Sequence, residues 1–130
     1  MKDNVMLTIA SLMTIVLSIF HVASDIQLGI DKPSLSHLFI FVPIVVVFLY
    51  ATLVLAGRLS GFVIIMIGSL GSLYVTYIHL KSPHIVERAA SSGGYFFIWG
   101  LLAMGVTATF SIILAARGLW SLQREKPSAG

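Results

Sequence analysis

Residues 4–24, with the sequence NVMLTIASLMTIVLSIFHVAS, contain no Lys, Arg, Asp or Glu. A helix needs about 20 residues to cross a hydrocarbon core of ~30 Å, and this stretch is long enough. Three further stretches, residues 33–57, 59–80 and 89–116, are also uncharged and at least as long. The charged residues fall in the short segments between them. The pattern predicts a chain that crosses a lipid bilayer four times.

The composition supports the same conclusion. Of the 130 residues, 58% are hydrophobic and 10% are charged, whereas soluble domains carry roughly 25% charged residues. Continuous apolar stretches favour helices over barrel strands, which alternate in polarity. We therefore predict an all-α, polytopic membrane protein, an antiparallel bundle of four transmembrane helices. It forms one membrane domain, residues 1–130, with spans at about 5–23, 37–56, 59–80 and 95–116 and a polar tail at 117–130.

The distribution of positive charge predicts the orientation. Four spans place both termini on one side, and that side holds Lys2, Arg58, Arg117, Arg124 and Lys126. The other side, called the outer side, holds Lys32, Lys81 and Arg88. The positive-inside rule then places both termini in the cytoplasm. The first apolar segment is longer than a typical signal-peptide core, so we expect it to be retained as the first span.

Small and polar residues at helical spacing indicate which faces pack, because membrane helices associate through such residues. In span one they recur in steps of three and four: Ser11, Thr14, Ser18, His21 and Asp25. Spans three and four carry comparable sets: Gly61, Gly68, Ser72, Thr76 and His79; Gly93, Gly100, Thr107, Ser111 and Gly118. Span two has almost none. We expect spans one, three and four to make the tight contacts, with a polar pathway along span one as the alternative.

One group of ionisable residues is a candidate site. His21 and Asp25 lie four residues apart on the inward stripe of span one, and His79 ends the corresponding stripe of span three at a similar depth. If these faces meet, the three side chains converge. They are candidate ligands of a divalent transition metal. His21 and His79 are alternatively two axial ligands of a haem, or the group relays protons. The structural alternative is three interfacial residues with their polar ends in water.

The two ends of the chain carry a resemblance. Residues 4–12, NVMLTIASL, and residues 116–122, ARGLWSL, resemble the corresponding parts of small four-helix bacterial integral membrane proteins that are uncharacterised. The resemblance implies a bacterial inner-membrane location and no assigned activity.

These observations limit the function classes. The sequence has no cysteine, which excludes disulfides and thiolate metal sites. It also lacks the basic stripe of a nucleic-acid-binding protein. No set of nucleophile, base and orienting group is visible, so no catalytic residue is predicted. The leading expectation is a non-enzymatic subunit or modulator of a membrane assembly, with lipid and a membrane-protein partner or a second copy as contacts. The alternatives are a haem- or metal-binding redox protein that uses the outer His/Asp cluster, and a small oligomeric transporter.

Overall fold

The computed structural model describes residues 2–124 and contains five helices in that range. They are α1 (Lys2–Gln27), α2 (Leu35–Leu53), α3 (Leu59–Leu80), α4 (Ile85–Ala89) and α5 (Ser92–Arg124). The four long helices pack antiparallel, and each is long and apolar enough to cross a membrane. The predicted all-α fold class is confirmed. We call the end of the bundle where α1 and α3 finish the outer end, and the opposite end the inner end.

Two glycines allow the chain to reverse direction between helices. Gly29 follows α1 with φ of 68°, and Gly57 lies between α2 and α3 with φ of 77°. A side chain at either position would be strained in this left-handed conformation. Ser34 then caps α2 by accepting a hydrogen bond from the Ser36 backbone nitrogen at 3.2 Å. The α2–α3 connection is short, which makes these two helices an antiparallel hairpin.

Helix α5 is the centre of the bundle and makes its most extensive contacts with α1 and α3. Its buried residues recur largely at heptad spacing: Gly94, Leu101, Ala108 and Ala115; Phe97, Met104 and Ser111. This repeat keeps one face of a helix against its neighbours. Helix α2 packs mainly on α3 and buries only Phe48, Ala51 and Thr52. Spans one, three and four therefore form the tightly packed unit, as predicted.

The polar stripe of α1 is a packing face. Ser11 and Thr14 are fully buried and bond to the backbone carbonyls of Leu7 and Ala10, one turn earlier, at 2.8 and 2.9 Å. Thr14 also meets Ser111 of α5, with 3.5 Å between the hydroxyl oxygens. Hydroxyls that bond within their own helix need no water. The stripe is thus filled by neighbouring helices, and the alternative of a polar pathway within one chain is not supported.

The structure adds detail to the predicted boundaries and corrects one predicted face. The segment predicted as a polar tail, 117–130, begins as helix: α5 continues through Arg124, with Leu119 and Leu122 packed against the core. Residues 125–130 lie outside the described part. Within the predicted outer loop, residues 85–89 form the short helix α4. Gly93 is exposed and Gly100 faces open space, so neither marks the interface of α5.

Candidate functional site

The candidate site lies at the outer end, between α1 and α3, two helices that make few direct contacts with each other. His21 and Asp25 sit one helical turn apart on α1 and are 7% and 8% exposed. His79, in the last turn of α3, presents a side chain that is 18% exposed. On α1 and α3 these residues lie at the outer ends of the inward-facing stripes of small and polar residues. The packing of the bundle therefore brings the three side chains together.

A single carboxylate oxygen is the meeting point. Oδ2 of Asp25 lies 3.2 Å from Nε2 of His21 and 3.5 Å from Nε2 of His79. One ligand atom from each of the three residues lies within 4.8 Å of the others. In the described range, these two histidines are the only ion-pair partners of Asp25. The structure therefore brings together all three residues that the sequence singled out.

Aromatic rings enclose the cluster on the α5 side. The rings of His21 and His79 touch edge to face, with 4.7 Å between their centroids. Phe97 of α5 packs on both, at 5.3 Å from His21 and 5.8 Å from His79. Sequence reasoning missed Phe97. Its position three residues after Gly94 and seven before Met104, on the buried repeat of α5, is the signal that places it here.

The hydrogen bonds of His79 fix its tautomer. Its Nδ1 lies 2.9 Å from the backbone carbonyl oxygen of Val75. A carbonyl oxygen only accepts, so Nδ1 carries the proton and donates. In the neutral ring, Nε2 then presents a lone pair to the carboxylate oxygen of Asp25. Two acceptors that face each other need a proton or a metal ion between them.

The cluster also contains two buried polar atoms without a partner. Within residues 2–124, Nδ1 of His21 and Oδ1 of Asp25 make no hydrogen bond. Buried polar atoms are bonded in the large majority of cases, so each exception calls for an explanation. The protein groups by themselves leave this site incompletely satisfied.

The other two histidines lie apart from the cluster. His37 faces Asp31 at 3.7 Å, and His84 faces Glu87 at 3.2 Å. Their side chains are 41% and 64% exposed, and their acidic partners are exposed as well. They are solvated surface pairs and offer a contrast to the buried cluster.

Two cavities bear on function. A cavity of about 340 Å³ between α1 and α5 adjoins the cluster, because His21 forms part of its lining. A cavity of about 740 Å³ lies at the inner end among Lys2, Arg117 and Arg124. There Arg117 is paired with Asp3 at 3.2 Å, and Arg124 stacks on Trp120 at 4.7 Å. Two of the positively charged side chains that line this cavity, Arg117 and Arg124, thus already interact with other residues of the protein.

Fold and hydropathy together define a small multi-pass helical membrane protein. Comparison with protein-family models, with curated proteins and with solved structures finds no match to this chain.

Proposed function

We propose that this membrane protein binds a divalent transition-metal ion through His21, Asp25 and His79. The observation that carries the proposal is the convergence of two Nε2 atoms on one carboxylate oxygen, at 3.2 and 3.5 Å. In a tetrahedral site with bonds of about 2.0–2.1 Å, neighbouring ligand atoms lie about 3.3 Å apart. The two distances to the carboxylate oxygen match this spacing, and all three ligand atoms lie within 4.8 Å of one another. Two imidazoles with one carboxylate are a donor set for zinc and its first-row neighbours.

The hydrogen bonding of His79 supports the same proposal. In the neutral ring, Nε2 of His79 faces Oδ2 of Asp25, and both atoms are acceptors. A metal cation between them takes the place of a shared proton and neutralises the buried carboxylate. The bond from Nδ1 of His79 to the Val75 carbonyl is the second-shell contact that orients metal-binding histidines. Three protein ligands leave a fourth coordination position for water or another ligand.

A single metal ion fits this arrangement better than a haem. The rings of His21 and His79 are in edge-to-face contact, so a porphyrin between them requires the two helices to separate. Proton relay remains the competing use of the cluster. Below it, however, the hydroxyls of Ser18 and Thr14 are bonded to carbonyls of their own helix, at 2.8 and 2.9 Å, which favours packing over conduction.

The proposed setting is the cell's inner membrane, with both termini in the cytoplasm and the metal site at the opposite face. Its support is the excess of Lys and Arg at the inner end of the bundle. That the protein serves as a subunit or modulator of a larger assembly stays a prediction. Helix α2, which has few buried residues, is the surface on which such a partner would dock.

The test is metal binding by protein purified in mild detergent without a histidine tag. After loading with Zn²⁺ or Co²⁺ and dialysis, the wild-type chain should retain one ion per molecule, measured by mass spectrometry of the metal. His79→Ala should lose at least about 100-fold in affinity, because even outer-shell partners are worth 10–100-fold. His84→Ala, which removes an exposed histidine, is the matched control. A metal-free wild-type protein, or equal affinity of the wild-type protein and His79→Ala, would contradict the proposal.

A further inference from the structure

The cavity of about 740 Å³ at the inner end is a candidate site of a second kind. Its volume lies within the range of about 300–1,000 Å³ that small-molecule sites occupy. The beginning of α1 and the last turns of α5 form most of its wall, where Lys2, Arg117 and Arg124 carry positive charge and Asp3 carries negative charge. The described lining therefore has a net charge of +2, so an anion is the ligand that it attracts.

The internal partners of the two arginines leave both side chains able to bind an anion. Arg117 contacts Asp3 from Nη2 to Oδ2 at 3.2 Å, and both side chains are more than half exposed. Exposed ion pairs of this kind are weak, and a guanidinium has five N–H donors, so the contact leaves others available. The guanidinium of Arg124 lies over the Trp120 ring at 4.7 Å, a contact that neutralises no charge. These contacts orient the arginines and leave the cavity positively charged.

The rest of the lining indicates that the anion belongs to a lipid. Beside the charged groups, the cavity is lined by apolar side chains of the packed core, namely Phe62, Leu114 and Leu122. Trp120 is 61% exposed, which is typical of an aromatic residue at a membrane–water interface. A soluble anion would be held by exposed charges alone. A phospholipid instead keeps its acyl chains in the hydrocarbon region and brings its phosphate to the cavity.

We propose that the inner cavity binds the headgroup of an anionic phospholipid, with its phosphate among Lys2, Arg117 and Arg124. The two arginines lie seven residues apart on α5, which places them on one face, about 10 Å apart along the helix axis. Lys2 contributes its charge from the first turn of α1. Basic pockets between membrane helices are a recognised setting for acidic lipid headgroups. The site is at the opposite end from the metal cluster, so either proposal can fail without the other.

Native mass spectrometry of the full chain in mild detergent tests lipid binding. With equal amounts of phosphatidylglycerol and phosphatidylcholine added, the wild-type protein should retain one phosphatidylglycerol molecule. It should bind this lipid at least about tenfold more tightly than phosphatidylcholine, because each nearby Lys or Arg strengthens the binding of an acidic lipid about fivefold. The two lipids are chosen with the same acyl chains, so the preference reports the charge of the headgroup. Equal retention of the two lipids would overturn the proposal.

Paired substitutions test which positive charges hold the lipid. Lys2→Gln/Arg117→Gln should weaken phosphatidylglycerol binding about 25-fold, because it removes two contributions of about fivefold each. Lys32→Gln/Lys81→Gln removes the same charge from exposed positions at the outer end and should leave binding unchanged. Circular dichroism of both double variants should match the wild type, since the substituted side chains are exposed. Equal affinity of the two double variants for phosphatidylglycerol would contradict a site at the inner end.

A substitution that fills the cavity without changing its charge separates a built site from general attraction between charges. Ser121 lines the cavity and is exposed on α5. Ser121→Phe should abolish the preference for phosphatidylglycerol. Gly71→Phe is the matched control, because a Cβ at Gly71 on α3 meets nothing within 4 Å, and it should bind the lipid as the wild type does. Equal preference in the two variants would refute binding in this cavity.

A soluble phosphate distinguishes a lipid site from a site for phosphate in general. Glycerol phosphate carries a phosphate group without acyl chains. Added at the same concentration as phosphatidylglycerol, it should leave the bound lipid in place, because the lipid is also held by its chains in the detergent micelle. Displacement of the lipid by glycerol phosphate at equal concentration would make the ligand a soluble phosphate and overturn the lipid proposal.

Discussion

Oδ2 of Asp25 faces the Nε2 atoms of both histidines, so this one carboxylate supplies the formal charge of the cluster. A buried carboxylate is costly unless it is paired or bound to a metal. Asp31, only six residues further along, is exposed beside His37 and has no such constraint. Asp25 is therefore the buried carboxylate of the candidate site, and the exposed Asp31 is a matched control for substitutions of Asp25.

At this scale we predict that Asp25→Asn removes the stabilisation by zinc. A ligand that binds only the folded state at 100 times its Kd stabilises it by about 2.7 kcal/mol. Zn²⁺ should accordingly raise the thermal midpoint of the wild-type protein and of Asp31→Asn, followed by circular dichroism in detergent. Asp25→Asn should show little or no rise. A rise of the same size in Asp25→Asn would show that zinc binds elsewhere.

The helices pack through positions where α3 and α5 approach closely. A Cβ at Gly105 would lie 2.9 Å from Cγ2 of Thr76, and one at Gly118 would collide with the buried ring of Phe62. Such small residues let membrane helices come near one another. Gly71, by contrast, faces open space on α3.

We therefore predict opposite outcomes for the same substitution at two glycines. Gly118→Leu should lower the free energy of unfolding by about 1–3 kcal/mol, the usual cost of overpacking. Gly71→Leu should be neutral or stabilising by up to about 1 kcal/mol, because leucine favours helix more than glycine does. Chemical unfolding in mixed micelles measures both, and a Gly118→Leu protein as stable as Gly71→Leu would refute the α3–α5 packing.

The elements also show what could be predicted from the sequence. Uncharged stretches predicted four membrane-length helices, and the stripe from Ser11 to Asp25 predicted the buried face of α1, because polar residues in lipid turn inward. The prediction of which residues of α5 face its neighbours was partly wrong, because apolar residues are suited both to contact with lipid and to burial in the core. Gly100 and Gly105 look alike in the sequence, yet only Gly105 meets α3. The bond from His79 to Val75 depends on a side-chain rotamer and on packing against Phe97, which spacing along the chain does not fix.

For the whole molecule, the proposed topology places the inner end in the cytoplasm. The chain has no cysteine, so single cysteines report on sidedness without background. Ser91→Cys before α5 and Ser121→Cys near its end replace exposed serines at opposite ends of the bundle. In intact cells, an impermeant maleimide should label Ser91→Cys, and Ser121→Cys only after permeabilisation. The reverse pattern would place the cluster on the cytoplasmic side.

X-ray absorption spectroscopy of the zinc-loaded protein tests the central claim most directly, because it reports the atoms bound to the metal. We predict a first shell of nitrogen and oxygen at about 2.0–2.1 Å, with the outer-shell scattering of two imidazoles, and loss of those imidazole features in the His21→Ala/His79→Ala double variant. A first shell of oxygen alone, or imidazole scattering that persists in the double variant, would contradict a metal site built from His21, Asp25 and His79.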